Sequence, residues 1–89
     1  MAAPFPLGLV VATLGALEVL DPDEAMSLLR RHQSGDWGEV DGYDRRANNR
    51  ALKDGTRVLS AYVCAGGEKV WIITEADRTS TCVLLPSEY

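Results

Sequence analysis

The side chains able to do chemistry in this 89-residue sequence fall into three groups. His32 is the single histidine, with Asp36 four residues on. A histidine and a carboxylate at that spacing make an acid–base pair or a weak metal site if one helix carries both, because histidine is the usual general base near neutral pH. Gly35 stands between them and should stop the helix first. The reading we adopt for His32 is therefore a structural one, a satisfied imidazole near a helix end. The second group is Thr74-Glu75-Ala76-Asp77-Arg78-Thr79, two carboxylates and an arginine at an expected hairpin tip. Arg78 should pair with Glu75 or Asp77 and lock the turn; in a functional version its guanidinium holds a phosphate or a partner's carboxylate. The third is Ser60, Tyr62 and Trp71, expected to share one sheet face. Ser60 lacks a nucleophile-elbow motif, so packing is the expected role of all three. No phosphate loop, dinucleotide fingerprint or metal-ligand array is written in the sequence, and no cofactor is expected.

Charge is distributed unevenly. The formal net charge is −4 and the pI about 4.8, which argues against binding nucleic acid through a broad basic face. Asp21, Asp23 and Glu24 precede the first base, Arg30, and Asp36, Glu39, Asp41 and Asp44 follow. The bases cluster at Arg30, Arg31, Arg45, Arg46, Arg50, Lys53 and Arg57. Ordinary solvated helix faces account for such a pattern. The sharper reading makes the seven carboxylates a surface that meets a basic protein partner.

The elements that must position these groups are legible as periodicities. Residues 9–13 form a short strand pattern, and Thr13 can cap a helical turn over Leu14–Leu20. In Asp21-Pro22-Asp23-Glu24, Asp21 suits the N-cap, Pro22 the first helical position and Glu24 the capping-box acid. That helix should run to Gln33, with Ala25, Leu28, Leu29 and His32 as its inner stripe. Trp37 should plug the gap between helix and sheet and leave its N–H to find a partner. A further helix is expected from Asp44 to Gly55, turning Ala47, Ala51 and Leu52 inward, with Asn48 placed to bond a neighbouring backbone. From Arg57 the period changes to two. Strands are expected over Arg57–Cys64, Glu68–Glu75 and Thr79–Leu85, turning at Gly66-Gly67 and Ala76-Asp77-Arg78 and ending at Pro86. The expected fold is one α+β domain over 1–89: helices packed on a C-terminal three-stranded antiparallel meander, with a short N-terminal strand.

Bulk properties fit that fold. At 46% hydrophobic and 25% charged residues the chain has the balance of a globular protein, not a disordered one. No apolar run is long enough to span a bilayer. The apolar stretch Ala2–Ala16 lacks a basic n-region and is read as mature structure. Cys64 and Cys82 are too few for a small secreted disulfide scaffold, so two buried thiols, no zinc site and a cytoplasmic location are expected.

Several runs resemble a family of small plasmid- and phage-borne proteins, labelled "plasmid-related" or loosely attached to type I restriction systems. They are His32-Gln-Ser-Gly-Asp-Trp-Gly38, Asn48-Asn-Arg-Ala-Leu52, Arg57-Val-Leu-Ser-Ala-Tyr62, Trp71-Ile-Ile-Thr-Glu-Ala-Asp-Arg78, Leu84-Leu85-Pro86 and Glu88-Tyr89. Leu14 departs from the proline such proteins carry there. The resemblance implies a mobile genetic element as context. A small acidic accessory protein of such an element looks like an inhibitor of host defence, anti-restriction or of the anti-CRISPR type. A second resemblance is to barnase- and RelE-like ribonucleases, which also place helices before an antiparallel sheet. It would make His32, Arg57, Glu75 and Arg78 the catalytic groups. Arg78 stands where a barnase-type histidine is expected, and arginine is a poor general acid.

These readings lead to a non-enzymatic interaction module that uses Asp21, Asp23, Glu24, Asp36, Glu39, Asp41 and Asp44 against a protein partner such as a defence-complex subunit. Direct nucleic-acid or membrane binding is not expected. The chain should be a monomer or a small homo-oligomer, the latter through a free edge of the meander. A small ribonuclease or toxin is the alternative.

Overall fold

The computed structural model describes residues 5–89, so the first residues of the apolar stretch Ala2–Ala16 lie outside it. The class is α+β, as the periodicities imply. The sheet, however, has four strands and is mixed. Strand β1 (Leu9–Ala12) is followed by helices α1 (Leu14–Val19), α2 (Pro22–Gln33) and α3 (Gly42–Asp54). The strands β2 (Val58–Val63), β3 (Lys69–Thr74) and β4 (Ser80–Leu84) come next, and a 3₁₀ turn spans Pro86–Glu88. The order across the sheet is β1-β4-β3-β2. The last three strands are the expected antiparallel meander. β1 joins it in parallel beside β4, with Val10 opposite Thr81 and Ala12 opposite Val83. Periodicity alone could not pair a four-residue strand with one some seventy residues later.

Local chemistry accounts for the helices. Thr13 Oγ1 accepts from the Ala16 N–H at 3.2 Å and starts α1. Asp21 accepts from the Glu24 N–H at 2.8 Å, Pro22 takes the first turn, and α2 ends just before Gly35. Glu24 does not complete a capping box. Its carboxylate accepts from the Ala65 N–H across the β2–β3 hairpin and ties the start of α2 to the sheet. α3 begins at Gly42, two residues before the expected Asp44, because Asp41 is its N-cap and Asp44 supplies the N–H that the cap accepts at 2.8 Å. Gly55, at φ 73°, ends α3 in the left-handed conformation.

Two apolar clusters cover the helix side of the sheet. Ala16, Leu20, Leu28 and Leu29 pack on Tyr62, Val70, Ile72 and Val83. Phe5, Trp37, Ala51 and Val58 form the second cluster. Register sets which side chains face which way. Ser60 and Tyr62 point to the helices, whereas Trp71 pairs with Ala61 and lies on the opposite face, where the Tyr89 ring meets it edge-on at 5.7 Å. The expected common face of Ser60, Tyr62 and Trp71 is thus broken by a one-residue offset.

The outer edge of β2 is closed. Asn48 of α3 donates to the Leu59 carbonyl at 2.7 Å and accepts from the Leu59 N–H at 3.1 Å. One step along, Ala61 donates to the Trp37 carbonyl and accepts from the Glu39 N–H. Gly38 lies between those two contacts. A Cβ there would overlap the Ala61 carbonyl oxygen, and its φ of 73° disfavours any other residue. The meander has no free edge at β2, and at β4 it is covered by β1. Among the described residues, the open edge of the sheet is β1 itself.

Both cysteines are free thiols. Cys64 is buried just past the end of β2. Cys82 is only half-buried, on the face away from the helices, and burial raises its pKa. No helix among the described residues is long and apolar enough to cross a membrane.

Candidate functional site

A line of four polar side chains crosses the helix side of the sheet at the boundary between the two apolar clusters. His32 lies on the inner face of α2, Ser60 on β2, Thr74 on β3 and Thr81 on β4, and none has any exposed surface. Ser60 lies between Val58 of one cluster and Tyr62 of the other. The contacts run without a break. His32 Nδ1 is 2.6 Å from Ser60 Oγ, and His32 Nε2 is 2.9 Å from Thr74 Oγ1. Thr74 Oγ1 is 2.7 Å from Thr81 Oγ1, and Thr81 donates to the Leu7 carbonyl at 2.7 Å.

The hydrogen positions follow from the acceptor at the end. A carbonyl only accepts, so the Thr81 hydroxyl must donate to Leu7. With its single proton committed, Thr81 can only accept from Thr74. Thr74 then accepts from His32, which places the imidazole proton on Nε2. The remaining nitrogen, Nδ1, accepts from Ser60. Each group donates once in the same direction, from Ser60 through His32, Thr74 and Thr81 to Leu7. This arrangement needs a neutral imidazole. Accordingly, burial and then the positive charge of Arg78 lower the His32 pKa from its ordinary 6.5 to about 4. Phe5 and Trp37 seal the ring with edge-on contacts at 5.3 and 5.9 Å. The Trp37 N–H finds its partner in Asn49 Oδ1 at 3.0 Å. Among the described residues no buried side-chain polar atom lacks a hydrogen bond.

Ser60 and His32 therefore have the contact of a nucleophile–base pair without its access. Both are fully buried, and the group that orients the imidazole is a hydroxyl, which gives no charge to stabilise an imidazolium. Asp36, the expected partner of His32, points elsewhere. It forms an ion pair with Arg31 at 2.7 Å and accepts from the Gly38 N–H, and both contacts hold its carboxyl below the usual carboxylate range.

Arg78 also differs from expectation. Its guanidinium does not pair with the Glu75 or Asp77 carboxylates. It donates to three backbone carbonyls, Thr56 at 2.7 Å, Glu75 at 3.1 Å and Ala51 at 3.0 Å, and lies over the Phe5 ring at 5.4 Å. The lock on the hairpin is made by main-chain oxygens, and it binds the C-terminal turn of α3 as well. Arg78 itself holds φ 61°, the one non-glycine residue described with a left-handed backbone. Asp77 instead accepts from the Thr79 N–H at 3.0 Å and the Thr79 hydroxyl at 2.6 Å. Glu75 is exposed. Arg57 donates to the Tyr89 hydroxyl at 2.6 Å beside an open cavity of about 300 Å³, lined also by Asp44, Asn48, Leu59 and Trp71. His32 and Arg78 do not line that cavity, so the four candidate catalytic residues do not converge on it.

The seven carboxylates divide by the contacts they make. Asp21 and Asp41 cap helices, Glu24 holds Ala65, and Asp36 holds Arg31. Asp23, Glu39 and Asp44 are exposed, and no side-chain hydrogen bond or ion pair engages their carboxylates within the described residues. Asp36, Glu39, Asp41 and Asp44 all belong to the segment that closes the β2 edge, whereas Asp21, Asp23 and Glu24 lie at the α2 start beside the β2–β3 hairpin. No group of three or more histidine, cysteine or acidic side chains among the described residues is placed to hold a metal ion.

Periodicity missed the polar line. Thr74 and Thr81 fall at inward positions of their strands, and with Ser60 and His32 they make four polar residues on an otherwise apolar face. That pattern was the available signal. Compared with known proteins, the chain matches no family model, and no curated protein or solved structure matches it.

Proposed function

We propose that the chain is a non-enzymatic protein–protein interaction module of a mobile genetic element, and that it inhibits a bacterial defence complex by presenting carboxylates to a basic surface of one subunit. One observation carries this reading. His32 is sealed inside the molecule and Arg78 is committed to main-chain carbonyls, while Asp23, Glu39 and Asp44 remain exposed, with no hydrogen bond or ion pair on their carboxylates among the described residues. A carboxylate without an internal contact is the kind that gains by meeting a partner's base. The choice of a defence complex comes from the resemblance to plasmid- and phage-borne proteins. The ribonuclease reading has less support, because a buried neutral His32 and an Arg78 committed to three carbonyls reach no common cavity.

The test is a triple reversal, Asp23→Lys, Glu39→Lys and Asp44→Lys, in full-length chain used to capture partners from host lysate. The four carboxylates that hold the fold are left in place, so circular dichroism should not change. Affinity for the captured subunit should fall at least roughly tenfold, because like charges then face each other across the contact. Unchanged affinity rejects the charge mechanism, and cleavage of RNA by the wild-type chain would replace it with the nuclease reading.

A further inference from the structure

The uncharged first strand and the first residues of the helix after it are the part of the surface that neither the polar line nor the acidic segment explains. Residues 5–17 contain no charged side chain. Within them Leu9, Val10, Val11, Leu14 and Leu17 are exposed, from 41% for Val10 to 78% for Leu14. Five exposed apolar side chains so close together, Val10 on the helix side of the β1 edge, Leu9 and Val11 on the other face and Leu14 and Leu17 on α1, are the kind of feature that marks an interaction surface. The patch includes a sheet edge that is open among the described residues. Leu9 donates to the carbonyl of Thr79, just before β4, at 2.9 Å, and Thr13 to that of Val83 in β4 at 3.0 Å, so the odd-numbered residues of β1 bond inward. The N–H and C=O groups of Val10 and Ala12 point outward by strand alternation. Natural edge strands are blunted by shortness, lysine, proline or a bulge; Leu9–Ala12 is short, at four residues, but carries no lysine or proline.

We infer that this edge pairs with the same edge of a second copy of the chain, antiparallel, about a two-fold axis at Val11. The outward groups are self-complementary in that register. Val10 of one copy and Ala12 of the other exchange two hydrogen bonds, and the symmetry repeats the exchange, giving four. Val11 meets its own counterpart in the intervening close pair. Leu14 and Leu17, on α1 directly after the strand, add apolar area toward the roughly 800 Å² per partner of a stable interface. Charge selects the same occupant. Each copy carries −4, but Asp36, Glu39, Asp41 and Asp44 belong to the segment closing the opposite edge of the sheet, at β2. Joining two β1 edges sets these four carboxylates at the two far ends of one eight-stranded sheet and leaves both acidic ends open; the acids nearest the joint are Glu18 and Glu88, and the Glu88 carboxylate is already held by the Thr13 hydroxyl and the Gly15 N–H. Closed two-fold dimers are also the commonest assembly of soluble chains.

Sedimentation equilibrium of the full chain at micromolar concentration tests the pairing. The wild type should have twice the 9.7 kDa chain mass. Val11→Lys puts two ammonium groups face to face at the axis and should halve that mass with an unchanged far-ultraviolet spectrum. Because Val11→Lys could also loosen β1, Val11→Cys in a Cys82→Ser background supplies a gain-of-contact readout. Directly opposed residues of the close pair stand about 4.5 Å apart at Cα, within the roughly 4.4–6.8 Å a disulfide needs, so mild oxidation should give a covalent dimer. A wild-type mass of one chain overturns the inference, as does a dimer that Val11→Lys leaves intact or a Val11→Cys chain that does not cross-link. None of these results bears on the acidic partner surface, which the triple reversal tests separately.

Discussion

Acidifying the solution from pH 7 to pH 5 should destabilise the fold through His32 alone, before any carboxylate contributes. In the folded chain the imidazole is neutral with a pKa of about 4, lowered by burial and by Arg78. In the unfolded chain it returns to about 6.5. The unfolded state therefore binds the extra proton first, so stability is fully present above pH 6.5 and lost progressively toward pH 4. The full difference amounts to roughly 3 kcal/mol. Between pH 7 and pH 5 the linkage relation gives a loss of about 2 kcal/mol, a large share of a stability of roughly 5–15 kcal/mol. A chain this size should lose about 8–15 °C of Tm over that interval. The carboxyls held low, Asp36, Asp77 and Glu88, add their losses only below their ordinary values near 4, so the windows are separable. His32 is the single histidine, so its ring proton resonance can be followed by NMR without assignment ambiguity. The companion measurement is urea unfolding of the wild type and His32→Gln at pH 7, 6 and 5, in which the variant should lose the slope. A ring that titrates near 6.5, or equal slopes in both proteins, would refute the neutral, directed hydrogen-bond chain.

Two further outcomes rest on other contacts. Arg78→Ala should cost roughly 3 kcal/mol in urea unfolding, because three carbonyls lose a charged donor. It should also raise the His32 pKa, since the nearby positive charge that helps to hold it down is gone; an unmoved pKa would count against that coupling. Gly38→Ala forces a methyl group against the Ala61 carbonyl in a left-handed backbone. It should destabilise by about 2 kcal/mol or more and expose the Trp37 indole to fluorescence quenchers, whereas a loss under about half that would mean the 37–39 segment can move off β2.

The helices were readable because their signals are local. Asp21-Pro22-Asp23-Glu24 carries its cap, its first-turn proline and its acidic residues within four positions, and Gly55 marks a stop by its backbone alone. The meander was readable for the same reason, since a change of period and two turn sequences lie within thirty residues. What escaped was everything decided by distant partners. Thr13 and Glu88, 75 residues apart, meet in a 2.6 Å bond, and β1 finds β4 across a similar span. No local pattern encodes either. Arg78 misled for a different reason. Its neighbours in sequence are carboxylates, and the pairing rule for charges favours them, but its left-handed backbone aims the guanidinium past both to the carbonyls of Ala51 and Thr56. The acidic set was legible as a composition and not as a surface, because capping duty and partner contact use the same residue types.

The parallel seam between β1 and β4 has a consequence for how the molecule is made. The strand synthesised first can be docked only after the strand that comes last in the sheet has left the ribosome and the hairpins before it have closed. Until then Leu9, Val10 and Val11 lack even the one neighbour they have in the finished sheet. Newly made chains should thus depend on chaperone binding over this segment, and a circular permutant that opens the chain ahead of α1 and tethers β1 behind β4 should mature faster than the natural order.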